Sequence, residues 1–202
     1  MNLNQTLLSL ALLTTAVGTA QADSAPRTHD GFHLQVTGGF GYYSSSAEQG
    51  GSEMSMSGMS MPASLLMGGS IMPNLILGGG LVLDYVPSPS FEQGGQSVQV
   101  EGVTQYLVGL GLYADYYLDP MKNGLHFQGF AGWGGIETSN KGNVGGNDPT
   151  GLVSHLGVGY EWWLSDQWSG GVMGRLVYAP LDFNGVSFTT VEPMLVGSLT
   201  WH

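Results

Sequence analysis

Apolar and polar residues alternate with a period of two through most of the chain beyond residue 30. In segment 31–43, for example, Phe32 and Leu34 share one face of an extended backbone while His33 and Gln35 share the other. Successive side chains of a β-strand point to opposite faces, so this alternation is typical of strands with one apolar face. The pattern predicts eight strands, at 31–43, 63–72, 75–86, 103–118, 125–137, 152–164, 168–180 and 189–201.

The connections between these predicted strands are of two kinds. Short, turn-rich links occupy 72–74, 119–124 and 165–167, whereas longer, polar, glycine-rich segments occupy 44–62, 87–102, 138–151 and 182–188. Short turns at one end, long loops at the other and an even strand number are typical of an outer-membrane barrel. We therefore predict an all-β fold, an eight-stranded antiparallel up-and-down transmembrane β-barrel.

The spacing of aromatic residues along the apolar face indicates that this face points outward, toward lipid. A soluble barrel of the lipocalin kind also alternates, but its apolar face points inward. Here Phe32 and Tyr42, like other aromatic pairs, stand ten residues apart on one strand face. Ten strand residues tilted by roughly 40° rise about 25 Å, the height of the apolar band between two aromatic girdles. The residues predicted at the membrane interface are Phe32, Tyr116, Phe127, Trp162, Trp168 and Trp201 at the periplasmic rim and Tyr42, Tyr85, Tyr106, Trp133 and Tyr178 at or toward the outer rim.

The first 22 residues have the pattern of a secretory signal peptide. Residues 7–17 are apolar and small residues precede Ala22, which predicts cleavage between Ala22 and Asp23. The segment before residue 7 departs from the usual pattern because it contains no lysine or arginine. The apolar run is too short to cross a bilayer as a helix. The predicted organisation is a signal peptide at 1–22 and a single barrel domain at 23–202.

Composition and charge restrict the partners of the chain. Only 9% of its residues are charged, against about 25% in soluble domains, so its surface suits outer-membrane lipid better than water. It has 15 acidic and 4 basic residues and a net charge of −11, which argues against binding to nucleic acid. It contains no cysteine, which excludes disulfides.

The end of the sequence, Leu195-Val-Gly-Ser-Leu-Thr-Trp-His, alternates apolar residues up to an aromatic one. Together with the strand pattern, it resembles the small eight-stranded outer-membrane proteins of the OmpA, OmpX and opacity type over nearly all of 23–202. The resemblance implies a bacterial outer-membrane location, recognition of the last strand by the barrel-assembly machinery, and a role in adhesion, envelope integrity or phage reception. Here Trp201 is followed by His202, whereas the family signal ends on the aromatic residue.

Polar residues with inward parity predict what fills the lumen. They are Asp84, Asp115, His126, His155, Glu161, Arg175 and Glu192. Arg175 is the one lysine or arginine that falls inside a predicted strand. The predicted strand register places Gly157 opposite Arg175 on the neighbouring strand. Because a buried guanidinium needs a partner, we predict an ion pair between Arg175 and Glu192. Glu161 or Asp115 is expected in the same network. A structural plug is the favoured interpretation, and the constriction of a narrow pore or small-molecule channel is the alternative.

Candidate catalytic groups are sparse. Ser154 and His155 form the one adjacent serine–histidine pair, but neighbouring strand residues point to opposite faces. His126 and His155 share the inward parity and have no serine beside them. We therefore name no catalytic residue and predict a non-enzymatic protein. The alternative is a lipid-modifying outer-membrane enzyme, since some eight-stranded barrels of this membrane have that activity.

Two groups of residues are candidates for metal binding. The segment 44–62 contains Met54, Met56, Met59 and Met61. Their thioethers are ligands that Cu(I) or Ag(I) would accept, but a flexible, weakly apolar contact loop is the favoured interpretation. His29 and His33 lie at the predicted barrel entrance, where we expect solvated or hydrogen-bonded side chains. The sequence predicts no cofactor.

Acidic residues dominate the predicted external loops. These are Glu48, Glu53, Glu92, Glu101, Asp148 and Asp182, against Lys141 alone. Loops on a rigid scaffold commonly carry recognition. The predicted function is therefore structural or surface-interacting, with extracellular partners binding through these loops.

Overall fold

The computed structural model describes residues 28–29, 31–49, 52–94, 96–99, 102–119, 124–140 and 149–202. These residues form ten β-strands: β1 (Phe32–Gln49), β2 (Ser52–Met72), β3 (Leu75–Pro87), β4 (Ser90–Gln93), β5 (Gln96–Gln99), β6 (Val103–Tyr117), β7 (Gly124–Asn140), β8 (Thr150–Trp163), β9 (Trp168–Phe183) and β10 (Val186–Trp201). The predicted signal peptide at 1–22 lies outside the described residues. Among the residues described, no helix is long and apolar enough to span a bilayer.

Eight of the strands close into a barrel. They follow one another in the order β1-β2-β3-β6-β7-β8-β9-β10, and β10 pairs back with β1 through residues such as Val36 and Leu199. All pairs are antiparallel. Because the barrel is closed, each of these eight strands pairs with a neighbour on both sides. Their backbone N–H and C=O groups therefore bond to one another and need no water. The predicted eight-stranded antiparallel barrel is confirmed.

The predicted loops 44–62 and 182–188 lie largely in strands: 44–49 belong to β1, 52–62 to β2, 182–183 to β9 and 186–188 to β10. β1 and β2 stay paired as far as Gln49 and Ser52, and β9 and β10 meet at Asn184 and Gly185. These two turn residues have φ values of 51° and 80°, as in the tight turns that match the twist of a hairpin. The prediction failed here because serine and glycine dilute the apolar alternation, whereas backbone pairing does not depend on side-chain polarity.

A further hairpin lies within the predicted loop 87–102. Its first strand, β4, pairs with the Met54–Ser57 part of β2, while β3 pairs with β2 from Met61 onward. Its second strand, β5, pairs with β4 and has all four residues exposed. The β1–β2 and β4–β5 hairpins therefore project from one end of the barrel, which we call the hairpin end. The opposite end, where the links 73–74 and 164–167 lie, is the turn end.

The two faces of the barrel wall differ as the alternation predicts. On the outer face, Leu110 and Leu156 are 69% and 74% exposed, whereas on the inner face Leu66 and Leu107 are fully buried. All eleven predicted interface aromatics lie on the outer face. Eight of them are exposed, and the remaining three, Tyr85, Tyr106 and Trp201, are half-buried because each packs against another aromatic ring of the set. An apolar outer surface of this extent suits a lipid environment.

Candidate functional site in the barrel lumen

Glu161 of β8 is the centre of the hydrogen bonding at the turn end. Its carboxylate is fully buried. Thr200 donates to Oε1 over 2.7 Å and Ser169 donates to Oε2 over 2.7 Å. Further donors to the same carboxylate are Gln35 at 3.2 Å, Ser198 at 3.2 Å and Tyr117 at 3.1 Å. Strands β1, β6, β9 and β10 are therefore tied to β8 through one side chain.

Gln128 of β7 organises the next layer toward the hairpin end. Its Nε2 donates to Asp115 Oδ2 over 2.9 Å and to Gln35 Oε1 over 2.8 Å. Its Oε1 accepts from Arg175 Nη2 over 2.9 Å, and the ring of His155 lies 3.3 Å from the same oxygen. Gln35 in turn donates to Glu161, so the two layers form one continuous network.

Arg175 makes a different contact from the predicted one. Its guanidinium donates to the neutral Gln128, and among the described residues it forms no ion pair with Glu192. The register supplies the reason: Gly157 lies between Gln128 and Arg175 on the intervening strand. Because Gly157 has no side chain, the guanidinium reaches across β8 to the amide. Arg175 thereby joins Asp115 and Glu161 in one network through neutral amide groups.

Glu192 of β10 belongs to a separate polar group. It accepts a hydrogen bond from Ser60, and its Oε2 has no hydrogen-bond partner within the described part of the chain. Asp84 of β3 is also buried in the lumen. Toward the hairpin end the space beside these residues is filled by apolar side chains of β6 to β9. These include Leu107, Ile136, Val153, Val177 and Leu181.

Histidines gather at the turn end, beyond the Glu161 layer. The ring centroids of His29 and His202 lie 4.6 Å apart, and those of His33 and His202 lie 5.2 Å apart. Tyr117 stacks on His29 at 3.8 Å and on His126 at 4.9 Å. From the sequence, His29 and His33 were predicted to be solvated or hydrogen-bonded residues at the barrel entrance. The fold instead brings their side chains together with those of His126 and His202 in one cluster.

The serine–histidine pair does not form a catalytic dyad. Ser154 lies on the outer face and donates to the carbonyl oxygen of Tyr178 over 2.8 Å. His155 lies on the inner face, buried and stacked on Phe130 with 5.3 Å between ring centroids. The opposite orientation of neighbouring strand residues, as predicted, separates the two side chains.

The four methionines of β2 do not converge either. Met54 and Met56 share one face and line a cavity of about 180 Å³ at the hairpin end, together with Phe91 of β4. Met59 and Met61 have the opposite parity and are 61% and 60% exposed on the outer wall. Because the spacing changes from two to three between Met56 and Met59, a strand divides the thioethers between two faces. The geometry therefore does not support a four-methionine soft-metal site.

Several residues of the network were not singled out from the sequence. Gln35, Gln128 and Tyr117 join the layers, and His202 completes the histidine cluster. Their inward parity is visible in the sequence, but a neutral amide or phenol in a strand has no pattern that distinguishes a network residue from a lumen filler. His202 follows the last strand, and the sequence predicted no contact for it in the lumen.

Comparisons with known proteins concern the fold. Neither a protein-family model nor a curated protein matches the sequence. The outer membrane protein OprG from Pseudomonas aeruginosa has a similar structure, with a TM-score of 0.51 and 13% identity, covering 88% of this chain and 100% of that chain. Neisserial surface protein A (NspA) is similar with a TM-score of 0.50 and 15% identity, covering 84% of this chain and 96% of that chain.

Proposed function

Because the chain has the fold of the small eight-stranded outer-membrane β-barrels, we propose that it is a closed-lumen barrel that acts at the bacterial surface through its projecting hairpins. The observation that carries the proposal is the filled lumen. Glu161 and Gln35 at the turn end, Gln128 in the middle, and Leu107 and Tyr43 toward the hairpin end are all at most 2% exposed. An eight-stranded barrel is just wide enough for side chains to fill it.

The orientation follows from the two ends. Barrels of this class keep their short turns in the periplasm and extend their longer segments outside the cell. The turn end is accordingly the periplasmic end, and the hairpin end is outside. The outward aromatics, among them Phe32 and Trp201 at the turn end and Tyr85 and Tyr106 toward the hairpin end, then form two belts at the lipid–water interfaces.

The hairpin end supports a surface-interaction role. Among the described strands, the β4–β5 hairpin pairs with the barrel only through β4 and β2, so it stands beside the barrel wall and is open to a protein partner. Glu92 and Asp182 are exposed at this end, and the predicted acidic residues Glu101 and Asp148 lie outside the described residues. An excess of carboxylates favours a partner with a positively charged surface. The barrel itself then serves as the membrane anchor of these segments.

Membrane insertion and lumen closure can be tested on the same preparation. Isolated outer membranes are washed with urea, and the retained protein is run on detergent gels with and without boiling. We expect the folded barrel to stay in the membrane during the wash and to change its gel mobility on boiling. The purified protein is then placed in planar lipid bilayers, with a porin as positive control. We expect no conductance steps from this chain because buried side chains of the described residues fill the lumen at the turn end, in the middle and toward the hairpin end. Reproducible steps would favour the narrow-pore alternative, and release by urea without a mobility shift would contradict the membrane barrel.

A further inference from the structure

At the turn end of the lumen, two histidines lie beside the carboxylate of Glu161, which also takes part in the polar network that closes the lumen. His29, Glu161 and His202 each offer one ligand atom, and these three atoms lie within 4.8 Å of one another. We propose that the three residues bind a divalent transition-metal ion, with Zn²⁺ as the reference ion, at the turn end of the lumen. The proposal concerns a site separate from the surface hairpins.

One of the three ligand separations is close to that of a zinc site. His202 Nε2 lies 3.6 Å from Glu161 Oε2. Zinc bonds of about 2.0–2.2 Å in tetrahedral geometry place neighbouring ligand atoms about 3.4 Å apart. The distance between the His202 and Glu161 ligand atoms is therefore close to the required length, and the His29 ligand atom lies within 4.8 Å of both.

The charge of Glu161 favours a cation at this position. The carboxylate is fully buried, and in the part of the chain that the structure describes the His202 ring alone lies within ion-pair distance of it. A buried carboxylate is costly unless a positive charge compensates it. Its hydrogen bonds from Ser169 and Thr200 hold it in place, as outer-shell partners commonly orient a ligating carboxylate.

His33 lies next to the three ligands, with its ring centroid 5.2 Å from that of His202, but it is not one of the residues whose ligand atoms lie within 4.8 Å of one another. Its Nδ1 lies 2.9 Å from the Tyr113 hydroxyl, and its buried Nε2 has no hydrogen-bond partner among the described residues. Metal-bound histidines typically use one ring nitrogen for the ion and the other for such a hydrogen bond. A buried ring nitrogen without a partner is uncommon, and a shift of the His33 ring toward the ion would give Nε2 a partner. Without His33, the site keeps three protein ligands and an open position for water.

The ligand set also indicates the class of ion. Imidazole and carboxylate groups together suit Zn²⁺, Co²⁺, Ni²⁺ or Cu²⁺, whereas Mg²⁺ and Ca²⁺ prefer sites built from oxygen alone. The thioethers of Met54 and Met56 lie at the hairpin end, away from these three ligands. The ligand set is therefore suited to divalent transition-metal ions of intermediate hardness, such as Zn²⁺.

The test is a calorimetric titration of the purified full chain with Zn²⁺ in detergent, using an affinity tag without histidine after treatment with EDTA. We expect one Zn²⁺ per chain, binding at least tenfold weaker in His202→Gln, and no binding in the double variant His29→Gln/His202→Gln. The matched control is His155→Gln, since His155 is a buried lumen histidine outside the cluster and its replacement leaves the site intact. Mobility on gels with and without boiling verifies that each variant is folded.

Binding of Co²⁺ provides a second measurement that needs no variant. Tetrahedral Co²⁺ has intense visible absorption, which we expect on addition to the wild-type protein and which Zn²⁺ should displace. Absence of both Zn²⁺ binding and this absorption would overturn the proposal. Unchanged Zn²⁺ affinity in the folded double variant would overturn it as well, because the ion would then bind elsewhere.

Discussion

The two ends of the lumen exclude water by different means. At the turn end, buried polar side chains converge on Glu161, whose carboxylate accepts hydrogen bonds from Tyr117, Ser169 and Thr200 among others. Toward the hairpin end, apolar side chains such as Leu107 and Val153 fill most of the space by packing, beside a smaller set of buried polar residues that includes Asp84 and Glu192. A polar layer requires that each donor meets an acceptor, whereas an apolar layer requires only the right volume and shape. Single substitutions should therefore be more damaging at the turn end.

The largest effect is expected for Glu161→Ala. This change leaves several buried donors without an acceptor, and we expect a loss of about 4 kcal/mol or more in the free energy of unfolding. Unfolding by guanidinium in lipid vesicles, followed by the fluorescence of the five tryptophans, measures it. Glu161→Gln is the matched control: it keeps one acceptor oxygen and should lose less. Equal and small losses in the two variants would show that the carboxylate does not organise the turn end.

A smaller effect is expected for Leu107→Ala. Leu107 is fully buried in the apolar part of the lumen, and truncating such a side chain costs about 3 kcal/mol through lost burial and a residual cavity. Leu156→Ala, on the outer wall at 74% exposure, is the matched control because it removes the same atoms from the lipid-facing side. The same unfolding assay should give a much smaller change for Leu156→Ala. A loss at Leu107 equal to that at Leu156 would mean that the lumen at this level is not packed.

The smallest effect concerns a polar pair in the middle of the barrel. Thr37 Oγ1 and Ser64 Oγ lie 2.6 Å apart and both residues are buried. Thr37→Val alone should cost about 1 kcal/mol because the Ser64 hydroxyl loses its partner. Adding Ser64→Ala to that variant should cost little more, since no unpaired group remains. A double-mutant cycle measures this coupling, and strictly additive losses would show that the two hydroxyls are not coupled.

Much of the fold could be predicted from the chain alone. The central parts of the eight barrel strands and the outward parity of aromatics such as Tyr116 and Trp162 follow from period-two alternation. The hairpin extensions could not, because the serines and glycines of 44–62 carry no apolar stripe. The inward parity of Arg175 was also predictable. Its actual partner, Gln128, was not, since a long side chain can cross a strand wherever a residue such as Gly157 leaves room.

The sequence by itself determined which side chains face the lumen, because a strand alternates its faces whatever surrounds it. It also determined that the outer face is apolar and aromatic. Only the tertiary structure decided which inward groups meet. Contacts across the lumen join residues of strands that are not neighbours, such as Gln35 and Glu161, 126 positions apart in sequence. They depend on strand register, side-chain length and the small residues between. The histidine cluster at the turn end is of this kind, because closure of the barrel brings the residues beside its first strand next to His202.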